Sequence, residues 1–370
     1  MKIAVVGYKN QQVGPWDMTS VSTGLTGSEE SVVYASEQLT VMGHTVTIYM
    51  NPTPQVREPP TQKSNELVCP HPRWFDVDYY TDKNNNEQYD LVLMWRRYDV
   101  ETGRLRGKKV FYWPHDIPRT TKNKYQFPNF DGICILSQYH RKKFMEYFYN
   151  FDTIPHQICG NGVVIEHFDK PMSFDNPCSI GYFSNYARGL SILLSIWPEI
   201  YKEFPKCTLS ICYGRQVWGC ISPLELEKMI SIMNSLKPMG VVEHGKVGHI
   251  KLAAIMQHTS IWAYPCNTDD ETFCITAVKC QLAGMIPVTS RIGALNETIH
   301  QEAPHIELIK DQNDIRNYKN LLKSTLLRIS SSKPEDLVKE RQKYIQFAKK
   351  FSWQACVDKW IKLYDQVKDL

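Results

Sequence analysis

Gly181-Tyr182-Phe183-Ser184-Asn185-Tyr186-Ala187-Arg188-Gly189-Leu190 is a strand that runs through a short polar loop into a helix, and its reading decides the fold. The spacing predicts a buried strand over 178–183. It predicts a helix over 190–203, with Leu193, Leu194, Trp197 and Ile200 on the apolar side. Downstream the same grammar repeats, with strands over 208–213, 241–244, 260–264 and 286–289 and helices over 222–235, 251–258 and 276–283. Upstream, strands are expected over 2–7, 45–49, 90–95, 109–113 and 133–136, with helices over 29–41 and 138–149. Strands alternating with helices make a parallel sheet covered on both faces, so the chain is α/β.

The length of 370 residues suits two domains, and a 42% hydrophobic fraction gives each a core. The segment 169–177 holds two prolines and little apolar content, which marks the boundary. The expected domains are 1–170 and 171–350, followed by a terminal helix over 351–370 that crosses back to the first. The stretch 314–368 reads as largely helical, with a break near 332–334. Polar loops are expected over 8–23, 51–68 and 76–89. Ligands of open parallel sheets sit beyond the carboxyl ends of the strands. Two such sheets in tandem predict a site in a cleft between domains.

A charged fraction of 22% excludes a disordered tail protein. No run reaches the roughly 18 apolar residues of a membrane span. Met1 to Gly7 turns polar too soon for a secretory signal. Eleven scattered cysteines without a C-x-x-C pair point to reduced, structural thiols in a cytoplasmic compartment. Between Arg96 and Lys124 nine basic residues (Arg96, Arg97, Arg104, Arg106, Lys108, Lys109, Arg119, Lys122 and Lys124) face only Asp99, Glu101 and Asp116. This segment reads either as a solvated surface or as a peripheral contact with an anionic membrane. No nucleic-acid partner is expected.

Chemistry concentrates in Asp269-Asp270-Glu271-Thr272-Phe273-Cys274, which follows a strand and opens a helix. Acidic side chains recognise hydroxyls, and helix-start amides recognise phosphate. With Gly284, Pro287, Val288 and the turn Gly293-Ala294-Leu295-Asn296-Glu297, this stretch resembles the donor-binding segment of retaining GT-B glycosyltransferases of family four. Arg188-Gly189-Leu190 resembles that family's phosphate-binding loop. Gly24-Leu25-Thr26-Gly27 and Gly43-His44 match its opening, and Trp113-Pro114-His115-Asp116 falls at a strand end as its sugar-side histidine does.

The resemblance implies a GT-B fold, two Rossmann-like domains with parallel sheets facing a central cleft, 1–170 on the acceptor side and 171–350 binding the nucleotide sugar. It implies transfer of a sugar from a UDP- or GDP-sugar to a glycan, lipid or protein-linked acceptor, with retention and without a metal or other cofactor. It gives Glu271, His115 and Arg188 catalytic roles. Donor contacts fall to Thr26, Gly27, Gly189, Asp270, Thr272, Phe273, Cys274 and Lys279, and the diphosphate to amides around Gly189 and Thr272. Lys279 departs from the pattern, standing where the family carries a second glutamate. A lysine there would donate to ribose or phosphate. It also leaves open a decayed sugar- or polyanion-binding protein, with a nucleotide-sugar epimerase or a phosphorylase on the same scaffold as the other alternative. Ser137-Gln138-Tyr139-His140 and Asn161-Gly162-Val163 read as structural. Asp76-Val77-Asp78 spells the D-x-D of metal-dependent transferases but is expected in a polar loop away from the strands. His244 and His249 are too thinly partnered for zinc, and neither a G-x-S-x-G elbow nor a P-loop motif occurs.

Overall fold

A computed structural model describes residues 1–10, 14–57, 71–118, 125–169, 176–214 and 221–370. Arg119, Lys122 and Lys124, Cys69 and Cys220, and parts of the expected loops and of the 169–177 boundary lie outside the described residues. The chain forms two units. The first comprises Met1–Val21, Thr26–Val164 and Phe351–Leu370; the second comprises Ser22–Leu25 and Ile165–Lys350.

The first unit runs β1 (Lys2–Val6), α1 (Gly27–Val41), β2 (Thr45–Met50), β3 (Arg73–Asp76), β4 (Tyr89–Trp95), α2 (Val100–Arg104), β5 (Gly107–Trp113), β6 (Gly132–Ile135), α3 (Gln138–Tyr147) and β7 (His156–Ile158). Among the described residues these strands form one parallel sheet in the order β3-β2-β1-β4-β5-β6-β7. Its central strands are apolar runs buried on both faces, as a sheet between helix layers requires. Ser137 caps α3 by accepting the His140 amide at 2.9 Å.

The second unit runs β8 (Ser179–Tyr182), α4 (Leu190–Glu203), β9 (Thr208–Cys212), α5 (Pro223–Ser235), β10 (Val241–Gly245), α6 (His249–Gln257), β11 (Ile261–Tyr264), α7 (Ile275–Leu282), β12 (Ile286–Ser290), α8 (Leu295–Thr298), β13 (His305–Ile306), α9 (Gln312–Ser331) and α10 (Pro334–Ala348). Its parallel sheet has the order β10-β9-β8-β11-β12-β13. Trp197 of α4 and Trp262 and Tyr264 of β11 are fully buried in its core. Each such side chain contributes about 1.5–3 kcal/mol by leaving water. The final helix, α11 (Trp353–Val367), belongs to the first unit, where Trp360 packs edge-on against Trp113 at 4.6 Å.

Both sheets reverse their strand order once. In the first unit β1 lies between β2 and β4, and in the second β8 lies between β9 and β11. At such a reversal the loops leaving the two strands diverge and open a crevice at the carboxyl edge. The switch points are therefore β1/β4 and β8/β11.

One expectation needs correction. Residues 76–89 are not simply a polar loop: Asp76 ends β3, and the turn Val77–Thr81 buries Val77 and Tyr80. The loop after β1 forms as expected and is anchored. Asp17 is fully buried and accepts from the amides of Thr19 and Thr53, both at 2.9 Å, and from both hydroxyls. Several of the described basic residues of 96–124 are held by partners at the surface. Arg104 reaches Asp131, Lys108 reaches Asp90 at 2.8 Å, and Arg106 donates to the carbonyls of Tyr80, Asp82 and Asn85. These partners come from outside the segment.

Candidate functional site

The β8/β11 switch point gathers the residues expected to bind a donor. Arg188 lies in the loop after β8. Asn185 shapes that loop, its side-chain oxygen accepting the Ala187 amide at 2.9 Å and its carbonyl accepting the Arg188 amide at 3.0 Å. Gly189 then caps α4 with φ +95°, and a β-carbon there would lie 2.0 Å from the Pro265 carbonyl oxygen. Only glycine permits both the left-handed backbone and this close approach.

Glu271 lies in the loop after β11, where its side chain is buried and forms an ion pair with Arg188. Tyr264 donates to the same carboxylate oxygen at 3.3 Å, and the Ser184 hydroxyl lies 3.2 Å from the Tyr264 hydroxyl. The Ala294 amide donates to the Glu271 carbonyl at 2.9 Å, which ties the Gly293-Ala294-Leu295 turn to this loop. Cys274 caps α7 at φ +62°, a left-handed conformation that a side chain rarely adopts. Burial pushes its thiol up to about 12, so it is an inert un-ionised group at neutral pH.

Asp270 and Thr272 flank Glu271 at half-exposed positions, whereas Phe273 is buried beneath the loop. Because α7 begins at Ile275, the helix-start amides fall there and not around Thr272. Lys279 is buried in α7.

Thr26, Gly27 and His115 belong to the first unit. Thr26 caps α1, and its hydroxyl donates to the carboxylate of Glu29. The His115 ring packs against Trp113 and Trp95, with centroids 4.8 and 6.0 Å away. Burial, with Arg96 and His140 nearby, holds its pKa well below the usual value, so the imidazole is neutral at pH 7.

Around the β1/β4 switch point stands an array that sequence reading missed. Arg96, directly after β4, sends its fork to Asp116 at 2.7 and 2.9 Å and a further N–H to Ser28 Oγ at 3.3 Å. The buried Glu29 lies 3.8 Å from the same guanidinium. Arg96 also lies over the Trp95 ring, which stacks on half-buried Tyr8. Its position at a strand's carboxyl end was the available signal; its partners, 67 residues before and 20 after, were not legible as a group.

The Asp76-Val77-Asp78 motif is spent on ion pairs. Lys9 lies 2.8 Å from Asp76 and 2.5 Å from Asp78, and Arg57 lies 3.3 Å from Asp76.

No family model and no curated relative matches the sequence. Solved structures do match over nearly the full length. Sucrose-phosphate synthase from Thermosynechococcus elongatus superposes with a TM-score of 0.69 at 15% identity, covering 99% of this chain and 98% of that one. A glycosyltransferase from Rickettsia africae gives 0.67 at 13%, covering 99% and 98%. The pneumococcal O-GlcNAc transferase GtfA, solved with UDP and GlcNAc, gives 0.65 at 11%, covering 99% of both chains. The fold is GT-B. Within this GT-B chain, each of the two Rossmann-like units carries an arginine–carboxylate contact at its own switch point. The described non-glycine residues with positive φ are Arg96 and Cys274, one at each of these places.

Proposed function

We propose that this protein is a glycosyltransferase whose second unit binds a nucleoside-diphosphate sugar. The observation that carries the reading is the Arg188–Glu271 pair at the β8/β11 switch point. An arginine fork suits diphosphate oxygens, and a buried carboxylate suits sugar hydroxyls. On binding, the diphosphate takes over Arg188, and the released Glu271 accepts hydrogen bonds from the donor sugar. The first-turn amides of α4 and α7 add donors beside it.

Catalysis on this reading is chiefly electrostatic. As the anomeric bond stretches, negative charge grows on the departing diphosphate, and Arg188 stabilises it without a bound metal. The attacking group is a hydroxyl of a glycan, lipid or protein-linked acceptor. The sequence resemblance supports front-face attack assisted by a leaving phosphate oxygen, hence retention. It also gives His115 the part of a hydrogen-bonding group beside the sugar, for which a neutral imidazole is suited. UDP in the GtfA structure makes UDP the first nucleotide to test, with GDP beside it.

Calorimetric titration of the whole chain with UDP, GDP and ADP tests the reading. One of the first two should bind, with roughly micromolar to millimolar affinity as substrates do. Arg188→Gln should weaken that binding about tenfold or more. Equal affinity in the variant, or no binding by any nucleotide, would reject the assignment.

A further inference from the structure

We propose that Cys178 and Cys207 form a redox modification site in the second unit, a thiol pair that closes a reversible disulfide by exchange with a small disulfide such as oxidised glutathione. The cross-link encloses β8, the Arg188 loop and α4. The site does not rest on the transferase reading.

Strands β8 and β9 are parallel neighbours with Ser179 opposite Thr208, so Cys178 and Cys207, one residue before each strand, stand opposite one another. The Thr208 amide donates to the Cys178 carbonyl at 3.3 Å, which extends the ladder to this level. Neighbouring strands lie about 4.7–4.9 Å apart, inside the roughly 4.4–6.8 Å between α-carbons that a disulfide spans. Matched positions on parallel strands point their side chains to the same face, and the two thiols are hydrogen-bonded to each other. Both backbones are held in place. The Cys178 amide donates to Asn176 Oδ1 at 3.0 Å, and the Cys207 amide donates to the Phe204 carbonyl at 2.9 Å.

Access distinguishes this pair. Cys178 is half-buried, so a small disulfide in solution can reach it, whereas Cys207 is 1% exposed. A second thiol–thiol contact, between Cys134 and Cys159 in the first unit, lacks such an entry because both partners are buried. Burial beside Cys178 raises the Cys207 pKa, which keeps that thiol protonated at neutral pH and leaves Cys178 to open the exchange. The reaction then runs in two steps. Cys178 Sγ attacks one sulfur of oxidised glutathione, whose S–S bond breaks, and the first glutathione leaves as a thiol with the proton lost by Cys178. Cys207 Sγ next attacks Cys178 Sγ, the mixed disulfide breaks, and the Cys207 proton leaves on the second glutathione. Two cysteines are oxidised, and one glutathione disulfide is reduced to two thiols.

Mass spectrometry of the full chain, incubated with oxidised glutathione and digested by trypsin without reduction, tests this. Trypsin cuts between the two cysteines, at Arg188 and Lys206. Their peptides should appear joined, two hydrogens lighter than the sum, and should separate after dithiothreitol. Because the cross-link closes the chain over 178–207, the melting temperature of the oxidised protein should rise by about 5 °C or more and fall back on reduction. Cys207→Ser should stop at the mixed disulfide, with one glutathione on Cys178 and no such rise. Melting curves of the reduced variant establish that it is folded, and the wild-type peptide map decides the matter even if it is not. Nucleotide titration of the reduced protein reads the donor assignment separately. Joined peptides absent from the oxidised wild type, Cys178 ending there as a stable glutathione adduct, or a rise in melting temperature that persists in folded Cys207→Ser would each overturn the proposal.

Discussion

Replacing Glu271 with glutamine removes the charge that now occupies Arg188 while keeping the shape of the side chain. In the pair, the carboxylate is 6% exposed and the guanidinium 29%. A hydrogen bond between charged groups contributes about 1.5–3 kcal/mol, and the partial exposure of Arg188 places this one near the lower bound. A diphosphate entering the wild type must displace that carboxylate; in Glu271→Gln it need not. Nucleoside-diphosphate affinity should therefore rise about tenfold, equivalent to about 1.4 kcal/mol. Two losses should accompany the gain. Arg188 is left without its counter-ion, so the melting temperature should fall by roughly 2–4 °C. Donor hydroxyls lose their acceptor, so sugar turnover should drop about a hundredfold. The assay is calorimetry with whichever of UDP or GDP binds the wild type, run beside Arg188→Gln. If Glu271→Gln weakens nucleotide binding as Arg188→Gln does, the exchange of carboxylate for diphosphate on Arg188 is wrong.

Three further predictions follow from single positions. Gly189→Ala combines a φ of +95° with a 2.0 Å approach to the Pro265 carbonyl; urea unfolding should show a loss of about 3 kcal/mol or more, and a loss under about 1 would contradict the geometry. Burial lowers the pKa of His115 well below its usual value and takes His140 down to about 4. The unfolded chain therefore takes up more protons once pH falls through about 6.5, and stability should decline by about 1.4 kcal/mol per pH unit for each histidine; denaturation midpoints flat between pH 7 and 5 would contradict this. At Asp17, burial alone would raise the pKa, but hydrogen bonds from Thr19 and Thr53 outweigh it and the net shift is downward. Its contribution is thus present above about pH 4 and lost as pH falls through the native value, so Asp17→Asn should cost about 1–3 kcal/mol at pH 7 and flatten the acid limb of the stability curve.

Much of the fold was legible because its signals are local. The helix over 190–203 was read from Leu193, Leu194, Trp197 and Ile200, and it forms as α4 (Leu190–Glu203). Strands β7 (His156–Ile158) and β13 (His305–Ile306) escaped because three and two residues are too short for any period to show. Strand β3 (Arg73–Asp76) escaped because it adjoins polar, proline-rich sequence. Glu271 and Arg188 could be named from their motifs, but their contact could not. It depends on β8 and β11 being neighbours across two intervening strands, and strand order is written only in the folded sheet. The same holds for Glu29, Arg96 and Asp116. The ion partners of the basic segment were hidden for the same reason: Asp131 and Asp90, which meet Arg104 and Lys108 in space, lie outside it.

The most direct measurement is turnover of a panel of UDP-, GDP- and ADP-sugars by the wild type, Glu271→Ala and Arg188→Ala, followed by release of the nucleoside diphosphate. Wild-type protein should release it from one donor class, with release falling about a hundredfold or more in each folded variant. Release undiminished in both variants would contradict the claim that the β8/β11 switch point is where the donor is bound and activated.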